Sequence, residues 1–149
     1  MTLSCSGLKL FALLLAGLLS ACAFSPRVEA PVAQVLTSAS LAGTEWVAFA
    51  IDGTPEVTLP KPRLHWTSAD QVVGTGGCNP FRGPAVAGAG ALRLGPLAST
   101  GRACLSMPGS QEDLFFKALE LTRKARLDRD QLVLMDDTGK VLARFLKTN

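Results

Sequence analysis

Gln131-Leu132-Val133-Leu134-Met135 and Lys140-Val141-Leu142-Ala143-Arg144-Phe145, set either side of Asp136-Asp137-Thr138-Gly139, read as two strands joined by a tight turn. The flanks are strand formers, the middle residues are turn formers, and Gly139 stands where a left-handed backbone position is expected. This hairpin sets the class of the chain as β. Working back from it, Thr44 to Ile51 is a third strand, stopped by the turn dipeptide Asp52-Gly53. Arg63 to Thr67 and Gln71 to Gly74 form a second hairpin through Ser68-Ala69-Asp70, and Gly77 to Gly83 is extended but broken by turns. Ala91 to Leu94 and Leu97 to Thr100 are short strands parted by Gly95-Pro96.

One helix interrupts the strands. Ser110 is placed as an N-cap with Asp113 three residues on, and Leu114, Ala118, Leu121 and Ala125 keep helical spacing, as do Phe115 and Leu119. The spacing predicts a helix from Gln111 to about Arg126. Glu112 and Asp113 open it and Arg123, Lys124 and Arg126 close it, in the sense the macrodipole favours. The expected fold is therefore mainly β (α+β): a strongly curved antiparallel sheet or partly open barrel packed with one helix from the C-terminal half.

The N-terminus has a different character. Leu10 to Leu19 is an unbroken apolar run behind Lys9 and the start amine, closed by Leu19-Ser20-Ala21-Cys22. As a helix the run would rise roughly 15 Å, half the ~30 Å hydrocarbon core, so it reads as a secretory signal rather than a membrane span. Ending on Cys22, it resembles a bacterial lipoprotein signal, which implies diacylglycerol on the Cys22 thiol, cleavage before it and acylation of the new amine. An ordinary secretory peptide cut near Ala21 or Ala23 is the alternative. Cys5 falls in the removed segment.

The expected organisation is a signal over residues 1–21, an acylated Cys22 and flexible tether over 22–40, and a domain over 41–147. The tether is inferred from two prolines, small residues and weak alternation, with a strand within Val32 to Thr37 as the other possibility. Lys9 is the signal's only charged side chain, so the 15 Lys and Arg of the whole chain become 14 against 12 acids, a formal charge of +2. That balance gives no ground for a nucleic-acid partner or for an anionic membrane surface.

Gly77-Cys78-Asn79-Pro80-Phe81-Arg82-Gly83, with Leu41-Ala42-Gly43-Thr44-Glu45-Trp46 before it and Leu97 to Cys104 after it, resembles the META domain, or HslJ-like heat-shock lipoprotein family. Leu-x-Gly-Thr-x-Trp, Gly-Cys-Asn-x-Phe-x-Gly and Thr-x-x-x-Cys occur in the family's order. The helix carrying Glu112, Phe115 and Leu119 and the final hairpin then follow. The family motif falls on Gly77, Cys78, Asn79, Phe81, Gly83, Thr100 and Cys104. The resemblance implies a bent, β-rich fold in the bacterial envelope, associated with envelope stress and in some members with secretion or motility. It supplies no catalytic mechanism.

Cys78 and Cys104, both carried by the motif, are expected to form a disulfide in an oxidising compartment; two separate buried thiols are the alternative. No Cys-x-x-Cys pair suggests redox catalysis, and two cysteines with the distant His65 make a poor zinc set. Gly74-Thr75-Gly76-Gly77 lacks the Lys-Ser/Thr of a phosphate loop, so its glycines are expected to serve positive backbone angles or close strand approach. Asn79 is expected to bond nearby backbone and fix the turn before Pro80, or else to contact a ligand. Arg82 could neutralise a buried carboxylate or face a partner. His65, the single imidazole, lies in a strand pattern without a nucleophile motif, and Trp46 and Trp66 read as core or rim. Asp128-Asp130 and Asp136-Asp137 belong to turns and are too sparse in oxygen for calcium.

The expectation is a non-enzymatic accessory lipoprotein, without cofactor or metal, acting through contacts with an envelope protein. Ala23 rather than Asp after Cys22, by resemblance to proteobacterial lipoproteins, implies a lipid-anchored place at the outer membrane, with the domain facing the periplasm. The alternative is a carrier of a small apolar ligand or lipid, lined by Phe49, Trp66, Phe81 and the Leu114–Leu121 face of the helix.

Overall fold

The computed structural model describes residues 35–101 and 110–148. Cys22 and Cys104 lie outside them, as do the signal and most of the expected tether. Nine strands form one antiparallel sheet: β1 (Glu45–Ile51), β2 (Arg63–Trp66), β3 (Gln71–Thr75), β4 (Pro80–Gly88), β5 (Ala91–Leu94), β6 (Ala98–Ser99), β7 (Lys124–Asp128), β8 (Gln131–Met135) and β9 (Val141–Thr148). Their order is β3-β2-β1-β9-β8-β7-β5-β4-β6, and a further β3–β4 pairing joins the ends. The result is a closed eight-strand barrel with β6 as a short addition, not a partly open one.

Closure depends on the length of β4. Its first half pairs with β3, from Thr75↔Pro80 to Gln71↔Pro84, and its second half with β5, from Ala85↔Leu94 to Gly88↔Ala91. Neither hairpin alone would close the sheet. The β5–β7 seam is thin, the two strands meeting at Ala91↔Lys124.

Eight strands leave an interior that side chains can fill. Alternation sends Leu64 and Trp66, Ala125 and Leu127, Leu132 and Leu134 inward, where they join Trp46, Val72, Phe81, Leu92 and Phe145 in one buried cluster. A register shift between Ala48 and Ala50 of β1 displaces Phe49, which is 36% exposed. Phe49 is therefore not an interior residue, whereas Trp66 and Phe81 are.

Two helices occur among the described residues. α1 (Ser38–Leu41) is a single turn held by a reciprocal capping box between Thr37 and Ser40. Leu36 and Leu41 flank it as a hydrophobic staple and both are buried in the barrel cluster. Residues 35–40, expected to be tether, thus include a capped helical turn packed on the barrel. The Ser38 hydroxyl donates to Ala87 O, which ties α1 to β4. α2 (Gln111–Leu121) starts as expected, with Ser110 accepting from Asp113 N, but stops five residues early. Thr122 ends it: its N–H bonds Leu119 O and its hydroxyl donates to Ala118 O. The next residues form β7, paired with β8 from Lys124↔Met135 to Asp128↔Gln131. Arg123, Lys124 and Arg126 therefore do not close a helix, and Ala125 faces the barrel interior from a strand. The expected turn at Gly139 is present, with φ of 92°.

Candidate functional site

Motif residues Gly77, Cys78, Asn79 and Thr100 gather where α2 meets the β3–β4 connection. Thr75 ends β3, Gly76 to Asn79 make the turn, and Pro80 begins β4. The organising group is Glu112, buried on the first turn of α2. Its Oε1 accepts from Asn79 N at 2.7 Å and Cys78 N at 3.2 Å, and its Oε2 accepts from Asn79 Nδ2 at 2.8 Å. One carboxylate thus satisfies two backbone donors of a tight turn and the side chain of a buried asparagine. The N-terminal end of α2 adds a favourable potential for that charge.

Asn79 itself is only 5% exposed. Its Oδ1 accepts from the Thr100 hydroxyl at 3.2 Å, so the chain after β6 is drawn into the same network. The Asn79 side chain, expected to bond nearby backbone, meets the carboxylate of a distant helix and the Thr100 hydroxyl, and the turn is closed by Gly76 N, which donates to Asn79 O. The glycines serve this closeness. A Cβ on Gly76 would lie 2.6 Å from Glu112 Cγ, and one on Gly77, whose φ is 121°, would lie 2.8 Å from Pro60 O. On Gly83 it would approach Pro96 O to 2.7 Å.

Beneath this layer Phe81 meets Phe115 and Phe116 at ring-centroid distances of 5.9 and 5.5 Å, and Phe115 reaches Phe145 of β9 at 6.3 Å. The motif is thus continuous with the core. Cys78 is disulfide-bonded.

Beside Glu112 an open depression of about 360 Å³ is lined by Pro60, Gly76, Gly77, Cys78, Ser110 and Gln111. A second, of about 370 Å³, lies over Val73, Pro80, Phe81, Arg82 and the β6 residues. Arg82 is exposed there and forms no ion pair among the described residues.

The other candidates fall elsewhere. His65 is half-buried on β2 opposite Glu45 of β1, its Nδ1 without a hydrogen-bond partner. Trp46 is buried and donates to Thr44 Oγ1 at 2.7 Å; Trp66 is fully buried. Asp136 is a turn residue whose Oδ1 accepts from Thr138 N, the Thr138 hydroxyl and Lys140 N. These bonds, the hydroxyl foremost, hold its carboxyl below the usual value. Among the described residues no group of three or more His, Cys, Asp or Glu is placed to hold a metal ion, and no helix is long and apolar enough to cross a membrane.

Glu112 was readable in the sequence only as a first-turn acid. What sets it apart is its place at the head of the row Glu112, Phe115, Leu119, which shares one helix face.

The family model of the META domain matches residues 39–149. Among solved structures, the NMR structure of a protein from Burkholderia xenovorans is similar with a TM-score of 0.57 and 24% identity, over 84% of this chain and 97% of that one. Another protein structure determined by NMR gives a TM-score of 0.58 and 23% identity over 74% of this chain and 95% of that one. At such identities the likeness is one of fold. No curated protein matches the chain.

Proposed function

The chain belongs to the META domain family, and on that premise we propose that it is a non-enzymatic, HslJ-like envelope lipoprotein. In this reading it is acylated at Cys22, held at the outer membrane with its barrel in the periplasm, and works by contact with an envelope protein under stress or during secretion. The observation that carries the reading is the junction Leu19-Ser20-Ala21-Cys22 behind an apolar run, followed by a closed domain whose motif residues are engaged with one another. A motif that spends its polar groups on internal bonds suits a scaffold for contact better than a reaction centre. The disulfide partner proposed for Cys78 is Cys104.

The carrier alternative gains little support from the barrel interior, which Trp46, Trp66, Phe115, Phe145 and Leu119 occupy. The test is to label cells with radioactive palmitate, separate the two membranes by density, and crosslink the anchored protein in intact cells. Label in the wild type but not in Cys22→Ser, sedimenting with the outer membrane, supports the address. Label absent from both, or sedimentation with the inner membrane, overturns it. A discrete crosslinked protein lost in Cys22→Ser supports action by contact at the membrane.

A further inference from the structure

The outer wall made by β5, β7, β8 and β9 carries more cations than acids: Arg93, Lys124, Arg126 and Arg144 against Asp128, with Lys124 Nζ donating to Asp137 O in the adjoining turn. Alternation sends Arg93 of β5 outward, since Leu92 and Leu94 are buried, and likewise Lys124 and Arg126 of β7, between which Ala125 faces in. Val133 of β8 lies directly between Arg126 and Arg144 in the ladder. Adjacent strands are about 4.8 Å apart, so the two arginines start about 10 Å from each other on one face.

Val133 sharpens the picture. Leu132 and Leu134 point into the barrel, so Val133 points out, yet it is fully buried and stands apart from the core cluster. Arg126 and Arg144 flank this valine in the ladder, positions from which long arginine stems can cover an apolar neighbour while the charge stays in water. The ion pairs among the described residues are Arg63–Glu45 and Lys140–Asp52, and neither involves the wall. Asp128 bounds it at one end, opposite Gln131. Apolar Val86, opposite Arg93, and Leu146, opposite Gln131, lie among the charges, and both are exposed.

We propose that this wall is a docking surface for the anionic phospholipid headgroups of the membrane that holds the chain. The inference rests on the anchoring read above. Thirteen residue steps separate Cys22 from Val35, and even fully extended they span no more than about 45 Å. An anchored barrel therefore never leaves the neighbourhood of the surface, and a weak attraction is amplified by that confinement. The described chain enters at α1, tied to Ala87 of β4, and the wall begins on the neighbouring strand, β5. Cations interleaved with apolar side chains suit an interface of mobile headgroups. Docked this way, the barrel would take a fixed orientation rather than tumbling at its anchor.

The test uses the chain from residue 22 onward, which contains the whole described barrel, with Cys22→Ser so that no lipid is attached. Partition is measured by sedimentation with vesicles of phosphatidylethanolamine and phosphatidylcholine, with or without 30% phosphatidylglycerol. Binding should require phosphatidylglycerol and weaken steeply with salt. Each cation near such a surface is worth about a fivefold change in partition, so Arg126→Gln with Arg144→Gln should cost about 25-fold. Lys117→Gln, on exposed α2 surface, should cost little. Urea midpoints of the variants confirm that they are folded. Equal binding to both vesicles, or a double variant that binds like the parent, overturns the proposal. So does a double variant that loses only a protein crosslink in cells, since an acidic protein would then be the occupant. The vesicle result is independent of acylation, which the palmitate label reads separately.

Discussion

Removing the Glu112 carboxylate should do more damage than its place on an outer helical turn suggests. Glu112→Ala strips the acceptor from Cys78 N, Asn79 N and Asn79 Nδ2 together. The two Asn79 donors are buried, and a buried donor left without a partner costs about 1–3 kcal/mol. Cys78 N lies beside the open depression, where water can replace the lost bond. The sum for the alanine variant is therefore about 2–6 kcal/mol, a large part of the stability of a domain this size. Glu112→Gln is the informative control. Its Oε1 still serves both backbone donors, while its amide meets Asn79 Nδ2 donor to donor. Asn79 can relieve this by rotating its amide, because the Thr100 hydroxyl that now donates to it can accept instead. The glutamine variant should lose only about 1–2 kcal/mol. Urea unfolding followed by tryptophan fluorescence reads both, with Trp46 and Trp66 in the core as reporters. An alanine variant within about 0.5 kcal/mol of wild type at unchanged slope would show that the carboxylate does not organise the turn.

Four further outcomes follow from the same geometry. Phe115→Ala should cost about 3–5 kcal/mol in the same unfolding assay, because the ring is fully buried against Phe81, Phe116 and Phe145. Gly76→Ala should cost about 2–3 kcal/mol by pressing Glu112 off its bonds, and the loss should shrink when it is combined with Glu112→Ala, as a double-mutant cycle would show. With the Cys78–Cys104 pairing, the chain from residue 22 with Cys22→Ser should show no free thiol when unfolded without reductant, and Cys104→Ser should release one, by thiol titration. Two pH limbs should appear in stability measurements. Asp136, its pKa lowered from 3.8, contributes above that value and loses its contribution as pH falls below it; Asp136→Asn should flatten that acid limb. Lys140, its pKa raised from 10.5 chiefly by its hydrogen bond to Asp52, contributes fully below 10.5 and loses its contribution as pH rises above it; Asp52→Asn should shrink that alkaline limb.

The strands were legible where two-residue alternation coincided with turn chemistry. β8 and β9 around Gly139, and β2 and β3 around Ser68 to Asp70, needed nothing more. The helix was legible at its start, where Ser110 caps it, and illegible at its end. Leu121 and Ala125 are four apart and fit a helix, while Ala125 and Leu127 are two apart and fit a strand. Only the pairing of Lys124 to Asp128 with β8 decides between them, and that is a tertiary fact. Closure was illegible for a similar reason: β4 is one segment with different partners along its length, and the β5–β7 seam leaves no local mark. α1 was readable and was passed over, because Leu36-Thr37 and Ser40-Leu41 spell a staple and capping box in a stretch otherwise rich in small residues.

The site divides in the same way. Gly76, Gly77 and Asn79 could be recognised as residues of a crowded turn, since small or turn-forming side chains are what such a place tolerates. What they crowd against could not be read, because Glu112 is 33 residues from Asn79 and its local setting is that of any acid opening a helix. The consequence bears on how the motif should be understood. A turn of four residues between β3 and β4 presents several backbone donors at once, and strands alone cannot satisfy them. Supplying one buried carboxylate from α2 satisfies them together and fixes the helix to the barrel in the same step. Thr100 then ties in the chain after β6 through Asn79. On this account the motif is the joint between barrel and helix, and substitutions there should first be felt as lost stability, before any effect on a partner.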